Sequence, residues 1–555
     1  MKPLISKQHF LSSTESGSSW AVAKRWFSDC ATEHRLCAQK RNEFLPTRLI
    51  DISTHTDILP RLLETSEIVS GIKYATLSHC WGKHMPKRLQ QDNLLSMKTK
   101  IVFSELSKTF QDAMKITKYL GLRYIWIDSL CIIQDSKEDW QREASLMSKV
   151  YTNSACNISA TGASDGSIGL FFDRNPLAIQ PFRARFLGNQ VKGSFYLVNP
   201  SLWADEVDYS PLNRRAWVVQ ERLLSPCNLH FGSTQVYWEC RQRLACEAYP
   251  VALPSAFELL DCYRLDPDGG GARIRESHGL HPDSSLDNYT LWGYIVATYT
   301  KGELSFESDK LVAISGIAEQ MHKVLGDQYL AGLWRNHLAD QLLWVAEYGR
   351  ERTRKSKRSH EYLAPTWSWA SIDSEISRLG YISYTDDRGI MIDILTVRVD
   401  LATASPFGQI TGAFLQVRGK LAKAVMYVST EPGGVWSLGV HCKTLCKADF
   451  HIFQDVALEE GTEISADLFD NLYCLPIRNP AVYPAGDFGI RGLLLQATGK
   501  RNGEFRRFGV FSVFYQKDDV LLTNACEYFD SQAESCGLEY SSDDNGGYKY
   551  IITIV

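Results

Sequence analysis

The chain has 555 residues, 60 of them basic and 64 acidic, for a formal net charge of −4. That length points to about three or four domains rather than one core, and the balanced charge excludes a phosphate-tracking surface, so nucleic acid is not an expected partner. Met1–His9 has no apolar core for a signal peptide and no run of about 18 apolar residues follows, so a soluble cytoplasmic chain without a membrane span is expected.

Residues 17 to 40 are predicted as a helix carrying Trp26, Phe27, Cys30, His34 and Cys37, and Pro46–Ile52 as a first strand; residues 1–60 form this lead. An alternating region follows over residues 61–250. Lys73–His79 is a short strand running into Cys80-Trp81-Gly82, and Leu106–Leu120 has helical apolar spacing that Gly121 ends as a cap. A strand over Arg123–Asp128, a helix over 137–151 and a strand over Ala155–Thr161 complete the alternation, which predicts an α/β fold with a parallel sheet covered by helices. Within a connector of residues 251–285, Asp266-Pro-Asp-Gly-Gly-Gly-Ala272 has the composition of a linker or disordered loop. Residues 286–372 are expected to be helical, at 291–299, 310–321 and 330–345, with the basic run Arg350–Arg358 as a solvated loop. From 373 to 555, strand-length patterns at Gly412–Leu421, Arg507–Tyr515 and Tyr548–Val555 predict a β-rich domain.

Two helices carry charge where apolar residues are expected. On a 3.6-residue period Trp140, Glu143, Ala144, Met147, Val150 and Tyr151 share one stripe, which turns Glu143 inward. Read as one helix, Leu212–Ser225 places Arg214, Trp217, Glu221 and Leu224 on a common face. Asp128 ends its strand at the C-terminal edge of the sheet. The expectation is a buried cluster of Asp128, Glu143, Arg214 and Glu221, with the Arg214 guanidinium as charge partner. Such a cluster is either a catalytic or ligand-binding site or an ion-pair network that holds the second helix on the sheet.

Tyr74-Ala-Thr-Leu-Ser-His-Cys-Trp-Gly82, Phe110-Gln-Asp-Ala113, Leu120 to Asp135, Trp140 to Tyr151 with Asn153, Gly169-Leu-Phe with Arg174, and Arg214 to Ser225 with Trp238-Glu-Cys240 resemble the fungal heterokaryon incompatibility (HET) domain family in residue type and order. The flanks Cys30-x3-His34-x2-Cys37, Pro46-x-Arg48-Leu-Ile-Asp51 and Ala364–Ser371 resemble its longer members. The resemblance implies a role in fungal non-self recognition, in which fused incompatible cells arrest and die, with a protein partner of the incompatibility type and self-association as its interactions. HET domains are in turn distantly similar to TIR domains, which share a flavodoxin-like arrangement and some of which cleave NAD with the glutamate of a W-x-x-E helix. Trp140-Gln-Arg-Glu143 has that spacing. This implies NAD as substrate, Glu143 as the residue that stabilises the ribose, and Ser78, Trp81, Gly82 and Trp140 as the residues that hold the ligand. Two other function classes stay open: an enzyme or auxiliary of a fungal secondary-metabolite pathway, and a non-catalytic interaction scaffold.

Other constellations have plainer readings beside them. His79 with Cys80 or Cys131 has the residue types of a thiol nucleophile and its base, although adjacent strand residues point to opposite faces. Cys30, His34 and Cys37 fall on one helical face and would need a fourth ligand from elsewhere to hold zinc, while packing on Trp26 and Phe27 explains the same spacing. His441-Cys442-x3-Cys446 also has ligand types. The fourteen cysteines form no C-x-x-C pair, which fits free thiols in a reducing compartment. No G-x-G-x-x-G or Walker loop is present to cradle a dinucleotide or triphosphate by backbone.

Overall fold

Apolar strand segments separated by capped amphipathic helices give the first part of the chain a mixed sheet with helical cover. The computed structural model describes residues 10–37, 44–53, 59–67, 71–82, 87–187, 192–254, 263–266, 270–273, 285–347, 356–379, 389–428, 436–440, 449–456, 471–479, 489–514, 538–542 and 548–555. The chain divides into two compact units, the first comprising Met1–Pro282 with Gly302–Leu304 and Ala313–Gln320, the second the remainder.

In the first unit the strands include β1 (Arg48–Asp51), β2 (Arg61–Glu64), β3 (Tyr74–Ser78), β4 (Tyr124–Trp126), β5 (Cys156–Ser159), β6 (Phe182–Leu187), β7 (Lys192–Leu197), β8 (Cys227–Phe231), β9 (Val236–Cys240) and β10 (Leu244–Cys246). The helices are α1 (Gly17–Thr32), α2 (Leu94–Thr99), α3 (Lys108–Tyr119), α4 (Asp128–Cys131), α5 (Lys137–Thr152), α6 (Pro176–Ile179) and α7 (Ala216–Leu224). An eight-stranded sheet runs β10-β9-β8-β5-β3-β4-β1-β2. Its centre, β8-β5-β3-β4, is parallel, and antiparallel pairs extend both edges. Counted in chain order, the parallel strands stand 2-1-3-4 across the sheet, the flavodoxin-like order, whose winding reverses between β3 and β5. Every residue of β3, β5 and β8 is buried, as strands covered on both faces must be.

Local chemistry sets the boundaries. Ser107 caps α3 by accepting from the Phe110 N–H, and Gly121, at φ 84°, leaves that helix through a left-handed residue. Ser136 caps α5, whose first turn carries Glu138 and Asp139 against the positive end of the helix dipole. The motif acid Asp112 is buried on α3 and accepts from Leu170 N–H while pairing with Lys108. This ties the Gly169-Leu-Phe block to the helix.

Several expected elements differ. The helix expected over 17–40 ends at Thr32, so His34 and Cys37 lie in the turn that follows it. The strand expected to reach Asp128 stops at Trp126, because Asp128 opens the one-turn α4. Leu212–Ser225 is not one helix: a 3-10 turn over Leu212–Arg214 gives way at extended Arg215 to α7. A strand pair, Tyr263–Asp266 with Gly270–Arg273, occupies the glycine-rich stretch read as a linker.

The second unit contains the helix Ser285–Lys301 and a ten-stranded sheet that includes Ile410–Gly419, Glu504–Phe514 and Tyr548–Ile554, the three segments expected as strands. Its core packs Ala422, Leu472, Cys474, Ile490, Leu494 and Phe511. Residues 330–345 are not helical; short strands at Tyr329–Leu330, Leu333–Trp334 and Val345–Ala346 surround the single turn Leu338–Gln341. Of the basic run, Arg358 is engaged rather than solvated, donating to Ser371, Asp455 and the Arg507 carbonyl; residues 350–355 lie outside the described residues. No helix among the described residues is long and apolar enough to cross a membrane.

Candidate functional site

The parallel register brings polar groups level at the C-terminal edge. Thr76 of β3 faces Trp126, the last residue of β4, and Ser78 and Asp128 follow on the two chains at this edge. Asp128 accepts from Trp81 Nε1 at 3.0 Å through Oδ2 and from the Ser129 N–H at 2.6 Å through Oδ1. His79 lies with Nδ1 3.7 Å from Asp128 Oδ1. That is too long for a hydrogen bond, and among the described residues neither ring nitrogen has a hydrogen-bond partner. Phe110 meets the imidazole edge-on at 4.9 Å and Trp81 stacks parallel to it at 6.5 Å. Burial lowers the His79 pKa to about 4, with Asp128 opposing and Arg215 adding to the shift, so the ring is neutral at pH 7.

Helix α7 brings Glu221 to the same edge. Burial pushes its carboxyl above the usual range and the Asp128 charge adds to this, against the pull of Arg215 and of hydrogen bonds from Ser78 and Tyr151. Tyr151, at the end of α5, is fully enclosed and its hydroxyl is held well above its ordinary pKa by burial and by the two acids. The Arg215 guanidinium donates to the His79 carbonyl. Beneath them Asn157 bonds Thr76, Ser78, Ser159 and Asn228, forming a polar floor across β3, β5 and β8. The result is two acids in unlike surroundings, Asp128 partly open at 18% side-chain exposure and Glu221 closed. Two carboxylates in unlike surroundings are an arrangement that can divide acid and base roles.

Glu143, the other expected member, belongs to a different network. It is 1% exposed and accepts from Arg142 Nε at 3.1 Å. One turn earlier Asp139 is held by both Arg48 terminal nitrogens, at 3.0 and 2.8 Å, by the Ile133 N–H at 2.8 Å and by Arg142. Burial alone would raise the Asp139 pKa, but the Arg48 pair and the backbone donor outweigh it and hold it below the ordinary range. Arg214, expected to point inward, is exposed, because the break at Arg215 shifts the register; Arg215 supplies the guanidinium beside Glu221. Of the residues expected to hold a ligand, Ser78 is enclosed, Trp81 and Trp140 are half-buried and Gly82 is exposed. Gly82 has φ 70°, and a Cβ there would lie 2.2 Å from Asp165 Cβ, so no larger residue fits unmoved.

Residues 74–221 match the family model described as heterokaryon incompatibility protein (HET). Residues 74–221 form a HET domain. The match opens on the first residue of β3 and closes on Glu221 of α7, which spans the acids at the sheet edge but leaves β1, β2 and β8–β10 outside. No curated protein and no solved structure matches the chain.

Beyond the HET match lies a second network that motif reading missed. Arg222 donates to Glu239 from Nε at 2.8 Å and to Asp208 at 2.8 Å, and His230 joins Glu239 at 3.0 Å through Nε2 and Thr161 at 3.1 Å through Nδ1. Arg222 and Glu239 stand inside the Arg214–Ser225 and Trp238-Glu-Cys240 blocks, so the signal was present as charge in an apolar strand. Burial pushes the Cys131 thiol up to about 12 and raises that of Cys80, which disfavours the thiolate a nucleophile would need.

The lead carries one more cluster. Cys30, His34, Cys37 and Cys240 are all buried and their Sγ and imidazole nitrogen atoms lie within 4.8 Å of one another. The sequence indicated the first three; Cys240, on β9, is the member that only the fold supplies. His441, Cys442 and Cys446 lie outside the described residues.

Proposed function

We propose that this HET-domain protein acts in fungal non-self recognition, triggering growth arrest and death by cleaving NAD at the edge formed by Asp128, Glu221 and Trp81. The observation that carries this is a pair of unlike acids near the end of β3, Glu221 bonded to Ser78 and Asp128 just past the neighbouring β4, close to the reversal between β3 and β5 where flavodoxin-like sheets hold ligands. In the proposed reaction the bond between ribose C1′ and the nicotinamide nitrogen breaks and its electron pair leaves with the base. The Asp128 carboxylate faces the cationic ribose, and the water that adds to C1′ gives its proton to Glu221. Trp81, already bonded to Asp128, offers an aromatic face to a base. Arg215 keeps Glu221 able to ionise in spite of its burial.

Glu143, which the W-x-x-E spacing singles out, has a structural role in this proposal: it is enclosed and paired to Arg142 in the network that fastens α5 to β1. The test uses the full-length chain, alone and fused to an oligomerising domain, incubated with NAD while nicotinamide release is followed. Release by wild type but not by Asp128→Asn is the expected result. A full-length wild type that releases no nicotinamide in either form, and whose overexpression leaves fungal growth unchanged, would refute the proposal.

A further inference from the structure

We propose that Cys30, His34, Cys37 and Cys240 bind one zinc ion, which staples the N-terminal lead onto strand β9 across more than two hundred residues of chain. Three soft sulfur atoms and one imidazole are the ligand set of a structural zinc site. Ligands at about 2.3 Å from a tetrahedral zinc stand about 3.8 Å apart. His34 Nδ1 lies 3.4 Å from Cys240 Sγ and 3.9 Å from Cys37 Sγ, and no pair in the group of four exceeds 4.8 Å. Among the described residues His34 Nε2 has no hydrogen-bond partner, so the ring addresses the sulfurs through Nδ1.

The surrounding structure fixes these ligands before any ion arrives. Trp26 packs on Trp238 with centroids 6.3 Å apart and donates from Nε1 to the Pro250 carbonyl at 2.7 Å. Arg243 pairs with Asp29 at 3.2 Å, one residue before Cys30. Arg241, buried next to Cys240, donates to the Leu36 carbonyl at 3.4 Å, which brings a positive charge to a site that three thiolates and a divalent ion leave at net −1. The turn after α1 is closed by Cys37 N–H donating to the His34 carbonyl at 3.0 Å. Binding releases three thiol protons and changes no oxidation state. With four protein ligands no position is left open for substrate, so the ion is structural.

Packing alone also satisfies buried thiols, and a disulfide between Cys240 and Cys30 or Cys37 is the competing chemistry; metal content separates the three. Full-length protein purified without added metal or chelator is expected to carry about one zinc per chain, released on titration with a mercurial. Cys240→Ala is expected to lose at least about nine-tenths of the zinc, whereas His34→Cys, which restores four ligands, retains it. Cys227→Ala is the neighbouring control, since Cys227 donates to the Ala155 carbonyl and is not in the group of four; it must keep the metal. Exchange into cobalt should give a thiolate charge-transfer band in wild type and His34→Cys. Wild-type protein with less than about a tenth of an equivalent of zinc, or with a disulfide linking Cys240 to Cys30 or Cys37, overturns the proposal without recourse to any variant.

Discussion

Helix α5 of the HET domain touches two clusters of buried charge, one near each end, and they are built to different rules. Near its start, Asp139 has Arg48 in bidentate contact, a backbone donor and Arg142, and Glu143 adds its own bond to Arg142. At its end, Tyr151 meets Glu221 beside Asp128, where among the described residues the imidazole of His79 has no hydrogen-bond partner and Asp128 is partly open. Arg507 in the second unit resembles the first kind: its guanidinium meets Asp455, the Leu342 and Trp344 carbonyls and, at 3.3 Å, the Trp344 ring. A closed network is what stability requires of buried charge, whereas a buried ring without a hydrogen bond among the described residues, beside a partly open carboxylate, is what the proposed ligand site builds on.

The sharpest break between the two clusters comes from removing the central cation of the closed one. Arg48→Ala leaves the Asp139 carboxylate buried without its main partner, and a loss of about 3–5 kcal/mol in denaturant unfolding is expected. The pH profile should follow. Because the folded-state pKa of Asp139 is depressed, its contribution is present above the unfolded value of about 3.9 and lost as pH falls through the folded value; the variant should lack this acid-side loss.

His79 gives the open cluster a different profile. Its pKa falls from 6.5 unfolded to about 4 folded, so the neutral ring favours folding fully above pH 6.5 and loses that advantage as pH drops toward 4. The span corresponds to roughly 3 kcal/mol. Unfolding midpoints at pH 7 and pH 5 should therefore diverge in wild type and converge in His79→Asn. Glu143→Gln should cost only about 1 kcal/mol, since Arg142 is half exposed and glutamine still accepts a hydrogen bond. Activity per folded molecule is expected to stay intact. Tyr151→Phe, which removes one bond to Glu221, should lower stability by about 1 kcal/mol or less and push the Glu221 pKa higher still.

Much of this contrast was legible in the sequence. The stripe of α5 does turn Glu143, Ala144, Met147, Val150 and Tyr151 inward, whereas Asp128, expected as the end of its strand, opens α4 two residues after β4 stops. Periodicity alone separates neither cluster, because it reports which face is buried and not what lies opposite. Asp139, one residue before the stripe, is buried only because β1 supplies Arg48 from ninety residues away. Arg214 turns outward for a local reason: extended Arg215 interrupts the helix between the 3-10 turn and α7, which shifts the register by one. Cys240 was unreachable for the same reason as Arg48, since antiparallel addition of β9 to β8 brings it to the lead.

Asp128 and Glu221, not Glu143, are the chemical pair proposed for the HET domain. Nicotinamide release from NAD, measured per folded molecule for Asp128→Asn and Glu143→Gln in the oligomer-fused full-length chain, addresses this directly. Asp128→Asn should keep a wild-type thermal midpoint within a few degrees and lose at least about a hundredfold in rate, while Glu143→Gln keeps the wild-type rate with a lowered midpoint. The reverse pattern, an unimpaired Asp128→Asn and a stable but inactive Glu143→Gln, would contradict the account.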